Sequence, residues 1–534
     1  MPPAFPTAPE PVVRLHDATT DELLTAVAAV EGGREAYVDA QGERLTFAEW
    51  DRAADGTASA FAELGVGVGD VVSLLLPSGI DYAICYLAAM RLGAITSGIN
   101  TRLGPAEVAS IVRRSEPRLF ISETVAASAG TGTVAAGTGT VAATAGGTFT
   151  VPAAQGLRRL DRSELRALRG LGRPARLPAP DPGRTVALVW TSGTTGDPKG
   201  AIFDHRNLAA VSVGAGPLRA AFDRRISPTP FSHVGYMTHV AEEIGYAITT
   251  VIPATPWKAE AVLAQLAAEG VTVGQGVPSQ WRLLLDRPEF DRTDLSRIRI
   301  CGTGAAPVPP SLVKEMQDRI GCPVVIGYTS TEAALTTGSL PGDSPEVIAR
   351  TVGRARENVE VRVVDDEGSE LPAGEVGNVE CRSGAVMRGY WRDPERTAEV
   401  LGPEGWLRTG DGGWLDEDGY LTLVGRRTEM YMRGAYNVYP VEVERVVSDH
   451  PSVAQVAIVA KPDPVLGEIG VAFVVPAAGA SPSLDELRAW TRSAIADYKA
   501  PDVLEIVDEL PLTPMGKVDK RALGERALQV ERVR

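Results

Sequence analysis

Residues Thr191 to Gly200 read TSGTTGDPKG, which gathers three glycines, four hydroxyl side chains and a lysine into ten positions. Gly193, Gly196 and Gly200 permit the backbone curl that turns amides toward an anion. Thr191, Ser192, Thr194 and Thr195 add hydroxyl donors, and Lys199 adds positive charge. The stretch directly follows a β-type run ending at Trp190, so a polyphosphate cradle at a strand end is expected. It is not the P-loop of nucleoside triphosphatases, which needs Gly before its Lys and Ser or Thr after it. Pro198 and Gly200 occupy those two places here.

The decapeptide resembles the phosphate-binding signature of the adenylate-forming superfamily, which includes acyl-CoA synthetases, peptide-synthetase adenylation domains and luciferases. Further segments resemble that family's motifs in the family's order. The loop GTGAAP (Gly302, Thr303, Gly304, Ala305, Ala306, Pro307) and the segment YTSTE, with Tyr328 and Thr329, resemble the two elements that sandwich adenine. Small residues let a purine lie on backbone, and an aromatic face stacks on its other side. The resemblance assigns Thr331 to the phosphates and Glu332 to Mg²⁺, a hard cation that prefers carboxylate and phosphate oxygens. Asp411, in TGDGGWL, takes the ribose hydroxyls, and Arg426 is a further nucleotide contact. Lys517, in LPLTPMGKVDKR, reaches the substrate carboxylate and the α-phosphate, and Gly434 lies beside the path of coenzyme A.

Of the five histidines, His233 and His239 lack the carboxylate partner of a zincin helix, so metal binding by histidine is not indicated. His233, in PFSHVGY, matches a position beside the acyl site, where an imidazole can face the substrate carboxylate. Val234, Gly235, Gln275, Gly276, Gly302, Gly327 and Thr329 complete the expected acyl pocket. Three positions depart from the family pattern: Thr329 stands where Gly is usual, Thr428 at the hinge replaces Asp or Lys, and Ala435 replaces a second Gly.

The implied activity is ATP-dependent acid:CoA ligation, in which a carboxylate displaces pyrophosphate from ATP and the acyl group then passes to the thiol of coenzyme A. A fatty or other bulky apolar acid is the first expectation and an aromatic acid the second. An acyl-AMP ligase serving a separate carrier protein, or a nucleotide-binding protein without catalysis, stay open as alternatives.

The elements that position these motifs follow from pattern. The chain of 534 residues is long enough for two or more domains, and its balance of 44% hydrophobic and 23% charged residues suits buried sheets. β-type runs at Val71 to Leu76, Ala94 to Ser97 and Arg118 to Ile121 alternate with helical patterns, which is α/β layering. Thr46 and Glu49 form a capping-box pair ahead of a core stripe of Phe47, Trp50, Ala54, Ala58 and Phe61. Further strands are expected at Val186 to Trp190, Ile298 to Cys301 and Val324 to Ile326, and a β-rich stretch runs from Val352 to Leu423. The expected architecture is a large N-terminal α/β domain of layered subdomains with a small β subdomain, residues 1–426. A small mobile α+β C-terminal domain, residues 427–534, follows it. Residues 124–156 are nearly all Ala, Gly, Thr and Val with GTGTVAA repeated, and are expected as a mobile surface loop.

The net charge of −15 argues against nucleic acid as a partner. Four widely spaced cysteines suggest neither disulfides nor a zinc site and fit a cytoplasmic setting. The most apolar stretch, Val71 to Ile95, is broken by Pro77, Asp81 and Arg91, so no membrane span or signal peptide is read. A monomer or homodimer acting on small molecules is expected.

Overall fold

The computed structural model describes residues 10–13, 18–125, 139–143, 147–151, 157–168, 172, 176–191, 198–227, 229–304, 308–426, 429–434, 436–513 and 517–530. Two large sheets face each other across a helical layer. One runs, in order, through the strands Lys199–Asp204, Thr185–Thr191, Ile95–Gly98, Val71–Leu75, Leu119–Ser122 and Arg158–Asp161. The other runs from Arg354–Ala355 through Thr337–Gly338, Val324–Tyr328, Ile300–Gly304, Val273–Gln275, Arg224–Ile226 and Thr249–Val251 to Glu35–Val38 and Arg44–Thr46. Their central strands are parallel, and all five residues of Val71–Leu75 are buried, as expected of a strand covered on both faces.

The helix Ile80–Arg91 lies wholly inside this layering, with every residue buried. The charges that interrupt its apolar run are satisfied there: Asp81 receives Arg162 and Arg166, and Arg91 reaches Asp51 and Asp55. Among the described residues, no helix is long and apolar enough to cross a membrane. The helix Phe47–Glu63 starts on the expected capping box, and Phe47, Trp50, Ala54, Ala58 and Phe61 are all buried.

A four-stranded antiparallel sheet of Val359–Val364, Gly377–Ser383, Leu407–Leu415 and Leu421–Arg426 closes the large domain. The small domain pairs Val453–Asp463 with Gly467–Pro476 over ten register positions and packs the helices Pro440–Ser448 and Lys520–Ala527 on that ribbon. Two expectations change. The strand expected at Ile298 begins at Ile300 and continues to Gly304. In the insertion, Thr124–Val125, Gly139–Ala143 and Gly147–Val151 form an antiparallel three-stranded sheet rather than a loop, in keeping with the β-branched Thr and Val of these segments. Residues 126–138, 144–146 and 152–156 lie outside the described residues.

Candidate active site

The two ends of the phosphate-loop motif lie on paired antiparallel strands. Thr191 pairs with Lys199 and Trp190 with Gly200, so both ends of the motif are fixed by a ladder. A Cβ on Gly200 would lie 3.2 Å from the Trp190 ring, and the indole N–H donates to the Ser97 hydroxyl at 2.9 Å. A side chain at position 200 would therefore press on the indole, which would have to shift by a few tenths of an ångström. Of the motif's functional positions, Thr191 and Lys199 are described, whereas Ser192, Gly193, Thr194, Thr195 and Gly196 lie outside the described residues.

Lys199 Nζ sits 5.0 Å above the centre of the Tyr390 ring, and the Tyr390 hydroxyl donates to Glu332 Oε1 at 2.8 Å. Burial and the Glu332 carboxylate push the Tyr390 phenol up from its ordinary value, so it stays a donor. Tyr390 thus joins Lys199 of the phosphate motif to the proposed metal residue. Sequence reasoning missed it, because nothing in its local spacing points to a glutamate 58 positions away. Glu332 is placed by a turn just after the strand Val324–Tyr328, and the amide of Met387 donates to its carbonyl at 2.9 Å. Thr331 precedes it in that turn. Thr329 is exposed, with its hydroxyl turned onto the carbonyl of Ser330 at 3.1 Å.

No group of three His, Cys, Asp or Glu residues able to hold a metal is found among the described residues. A single carboxylate, with one oxygen engaged by Tyr390, is the donor set expected where a magnesium ion is held mainly by nucleotide phosphates and water. Glu332 fits that arrangement.

On the other side of the strand ends, the Tyr328 hydroxyl donates to Asp411 Oδ2, and Arg426 Nε lies 3.2 Å from Asp411 Oδ1. Asp411 and Arg426 are register partners on adjacent strands, which fixes this pair without long side-chain reach. Burial raises the Asp411 carboxyl, and Arg426 and the Tyr328 hydroxyl oppose that rise. Gly302, Thr303 and Gly304 are on the neighbouring strand, and the buried Thr303 hydroxyl has no partner. Ala305, Ala306 and Pro307 lie outside the described residues.

Lys517 enters from the small domain. Its amide donates to Thr513 Oγ1 at 3.3 Å, and Thr513 N–H donates back to its carbonyl at 2.7 Å, which fixes the two residues side by side. Desolvation and then Arg426 lower the Lys517 ammonium from its ordinary value, against Asp411 and Glu429. The residue as a whole is exposed, so its tip is the part that meets the large domain. Three residues beyond it, Lys520 Nζ lies 2.9 Å from both Glu429 and Glu444, which ties this segment to the chain just after Arg426.

His233 caps the short helix Val234–Met237, its Nδ1 accepting the Gly235 N–H at 3.2 Å. Burial and then Lys517 bring its pKa down to about 4. With Nδ1 accepting, the neutral ring carries its proton on Nε2, free to donate. Gly434 is not part of this cluster; its N–H donates to the Leu466 carbonyl at 2.6 Å within the small domain. Thr428 and Ala435 lie outside the described residues.

The arrangement places Lys517 of the small domain within electrostatic reach of Arg426, Asp411 and His233 of the large one, with Tyr390 linking Lys199 to Glu332. Comparison with known proteins matches this organisation. Residues 24–391 match the AMP-binding enzyme family and residues 442–517 the AMP-binding enzyme C-terminal domain. A feruloyl-CoA synthase from Amycolatopsis sp is 35% identical over 495 residues, covering 91% of this chain and 94% of the relative. The long-chain-fatty-acid–CoA ligase FadD13 of Mycobacterium tuberculosis is 31% identical over 509 residues, covering 94% and 97%. The crystal structure of ATP-bound MatB from Rhodopseudomonas palustris superposes with a TM-score of 0.81 at 25% identity, covering 95% of this chain and 99% of that one.

Proposed function

The chain belongs to the AMP-binding enzyme family, as an acid:CoA ligase that uses ATP, and from that premise we propose how its residues divide the two half-reactions. The observation that carries the proposal is that Lys517 lies within electrostatic reach of Arg426, Asp411 and His233, the first two themselves joined by an ion pair. In the first half-reaction, His233 Nε2–H and the Lys517 ammonium hold the acid's carboxylate toward the α-phosphate. Attack by a carboxylate oxygen forms the acyl–phosphate bond and breaks the bond to pyrophosphate. Lys517, Lys199, Thr331 and the hydroxyls and amides of 191–200 oppose the charge gathered at phosphorus. Glu332 would hold the magnesium ion that neutralises charge on the leaving phosphates. Tyr328, with the strand Ile300–Gly304, receives adenine, and Asp411 accepts from the ribose hydroxyls while Arg426 holds Asp411 in place.

In the second half-reaction the thiol sulfur of coenzyme A attacks the acyl carbon and AMP leaves with the electron pair. We assign this step to a small domain, residues 427–534, turned so that Lys517 withdraws and Gly434 approaches a large domain of residues 1–426. Four free cysteines, all buried, support a reducing cytoplasmic setting, and a monomer or homodimer suffices because both half-sites come from one chain. A bulky apolar or aromatic acid is the substrate class proposed. Pyrophosphate release with a panel of acids, measured with and without coenzyme A, tests the reading. Thioester accumulation only when coenzyme A is present is the expected result. Pyrophosphate release that coenzyme A neither accelerates nor converts to thioester would assign the acyl group to another acceptor, such as a carrier protein.

A further inference from the structure

Two arginines lie inside the large domain with no carboxylate at ion-pair distance among the described residues, although Arg219 is within electrostatic reach of Glu242. Arg219 is 5% exposed and Arg356 9%, and neither forms an ion pair with a described carboxylate. Nε of Arg356 and Nε and Nη1 of Arg219 have no hydrogen-bond partner among the described residues. Arg219 makes one hydrogen bond, from Nη2 to the Val213 carbonyl at 2.9 Å, and stacks 4.9 Å over the Tyr246 ring. The two cations also repel: burial and then Arg219 bring the Arg356 pKa down to about 10. Elsewhere in this core, buried arginines are paired, as Arg225 is with Glu242 and Glu243 and Arg91 with Asp51 and Asp55. A buried guanidinium without an ion-pair partner is a large desolvation cost, which one hydrogen bond and a ring stack offset only in part for Arg219.

Their place in the fold suggests what offsets that cost. Gly327, on the strand Val324–Tyr328, is register partner to Gly338 on one side and Gly304 on the other. A Cβ on Gly327 would meet nothing nearer than the Thr337 carbonyl at 4.0 Å, so the sheet face above it is open. On Gly338, one strand away, a Cβ would lie 1.8 Å from Arg356 Nη2, so the guanidinium lies flat on that glycine. On Gly302 it would lie 3.0 Å from Leu218, the neighbour of Arg219. Leu218 and Arg356 therefore border the open glycine face from two sides. That face is the proposed acyl site's wall.

We propose that Arg219 and Arg356 form the far end of the acyl site and select acids that carry an oxygen acceptor remote from the reacting carboxylate, whether hydroxyl, carbonyl or a second carboxylate. The inference rests on the acid-activating reading above and names its substrate class. Leu218 and the glycine face receive the apolar body of such an acid, and the guanidinium groups receive its distal oxygen. A site built around a donor rejects an analogue that leaves the donor unpaired far more strongly than an apolar pocket rejects a changed methylene.

The test compares matched acids by pyrophosphate release: octanoate with omega-hydroxyoctanoate and octanedioate, and phenylpropanoate with its para-hydroxy, para-acetyl and para-carboxy derivatives. The expected result is that at least one oxygenated member exceeds its parent about tenfold or more in kcat/KM, the scale of a hydrogen bond to a charged group. The neutral and anionic arms separate a hydroxyl or carbonyl from a carboxylate. Arg356→Met should collapse that ratio toward one while leaving melting temperature equal or higher, because an unpaired buried cation has been removed. Arg356→Lys should keep part of the ratio. A purely structural arginine would instead lower melting temperature on substitution and reduce both members of a pair alike, which would overturn the inference. So would wild-type protein that turns over parent acids as well as every oxygenated derivative, a result that needs no variant. Absence of pyrophosphate from every acid would overturn the acid-activating reading itself, and this inference with it.

Discussion

The two ends of the proposed nucleotide site are built in opposite ways. At the ribose end, Tyr328, Asp411 and Arg426 are side chains of paired strands, two of them register partners, and Asp411 is buried. At the carboxylate end, Lys517 is an exposed residue of the small domain, placed by contacts to Thr513 and by the Lys520 ion pairs. The difference teaches which interactions are meant to persist. A group needed in both half-reactions can be set rigidly into a sheet, whereas a group needed in one must come from an element that can leave.

The strongest way to break this comparison is Lys517→Ala. Adenylation should fall on the order of a thousandfold, the upper scale for loss of one transition-state stabiliser, while preformed acyl-AMP and coenzyme A still give thioester at nearly the normal rate. Both steps failing together at unchanged melting temperature would show that the two ends are not separable. Glu332→Gln keeps shape and removes charge, so adenylation should fall about a hundredfold, with magnesium titration shifted to higher concentration. Unchanged turnover at limiting magnesium would remove Glu332 from the site.

A smaller effect sharpens the role of the bridge between Lys199 and the Glu332 carboxylate. Tyr390→Phe loses one hydrogen bond to a charged group, so the KM for ATP should rise about tenfold with little change in melting temperature. A variant with wild-type KM would mean that Glu332 is oriented without Tyr390.

The last expected effect is on stability as pH changes. His233 has a folded-state pKa of about 4, below its ordinary 6.5. As pH falls through 6.5 the unfolded chain takes up a proton that the folded chain does not, so stability declines down to about 4 and the loss then levels off. His233→Gln should therefore lose less stability than wild type between about pH 7 and pH 5, by up to about 2 kcal/mol, measured by thermal unfolding at each pH. An equal loss in both would place the imidazole in water.

Much of the scaffold could be read from residue pattern, because burial on both faces leaves continuous apolar strands, and the Thr46–Glu49 cap marks its helix start directly. The motif residues were proposed through a family resemblance; the structure joins Tyr328 to Asp411, Asp411 to Arg426 and Tyr390 to Glu332, and keeps Gly434 within the small domain. What could not be read depends on partners distant in sequence. Tyr390 gains meaning only from Glu332 and Lys199, and Trp190 from Gly200 across the strand pair. Arg219 and Arg356 belong with these, since arginine in a sequence implies solvent until the fold surrounds it. The strand pairs of 139–143 with 147–151 were hidden by a composition that reads as loop.

The Lys520 contacts to Glu429 and Glu444 have a mechanical meaning. Glu429 stands at the entry to the small domain and Lys520 near its exit, so the bridge makes beginning and end of that domain one stiff lever. A crank with a loose arm wastes part of each stroke as bending. Here the short arm near Arg426 and the long arm bearing Lys517 are pinned together, so in the proposed rotation each degree turned would reach the ammonium tip undiminished.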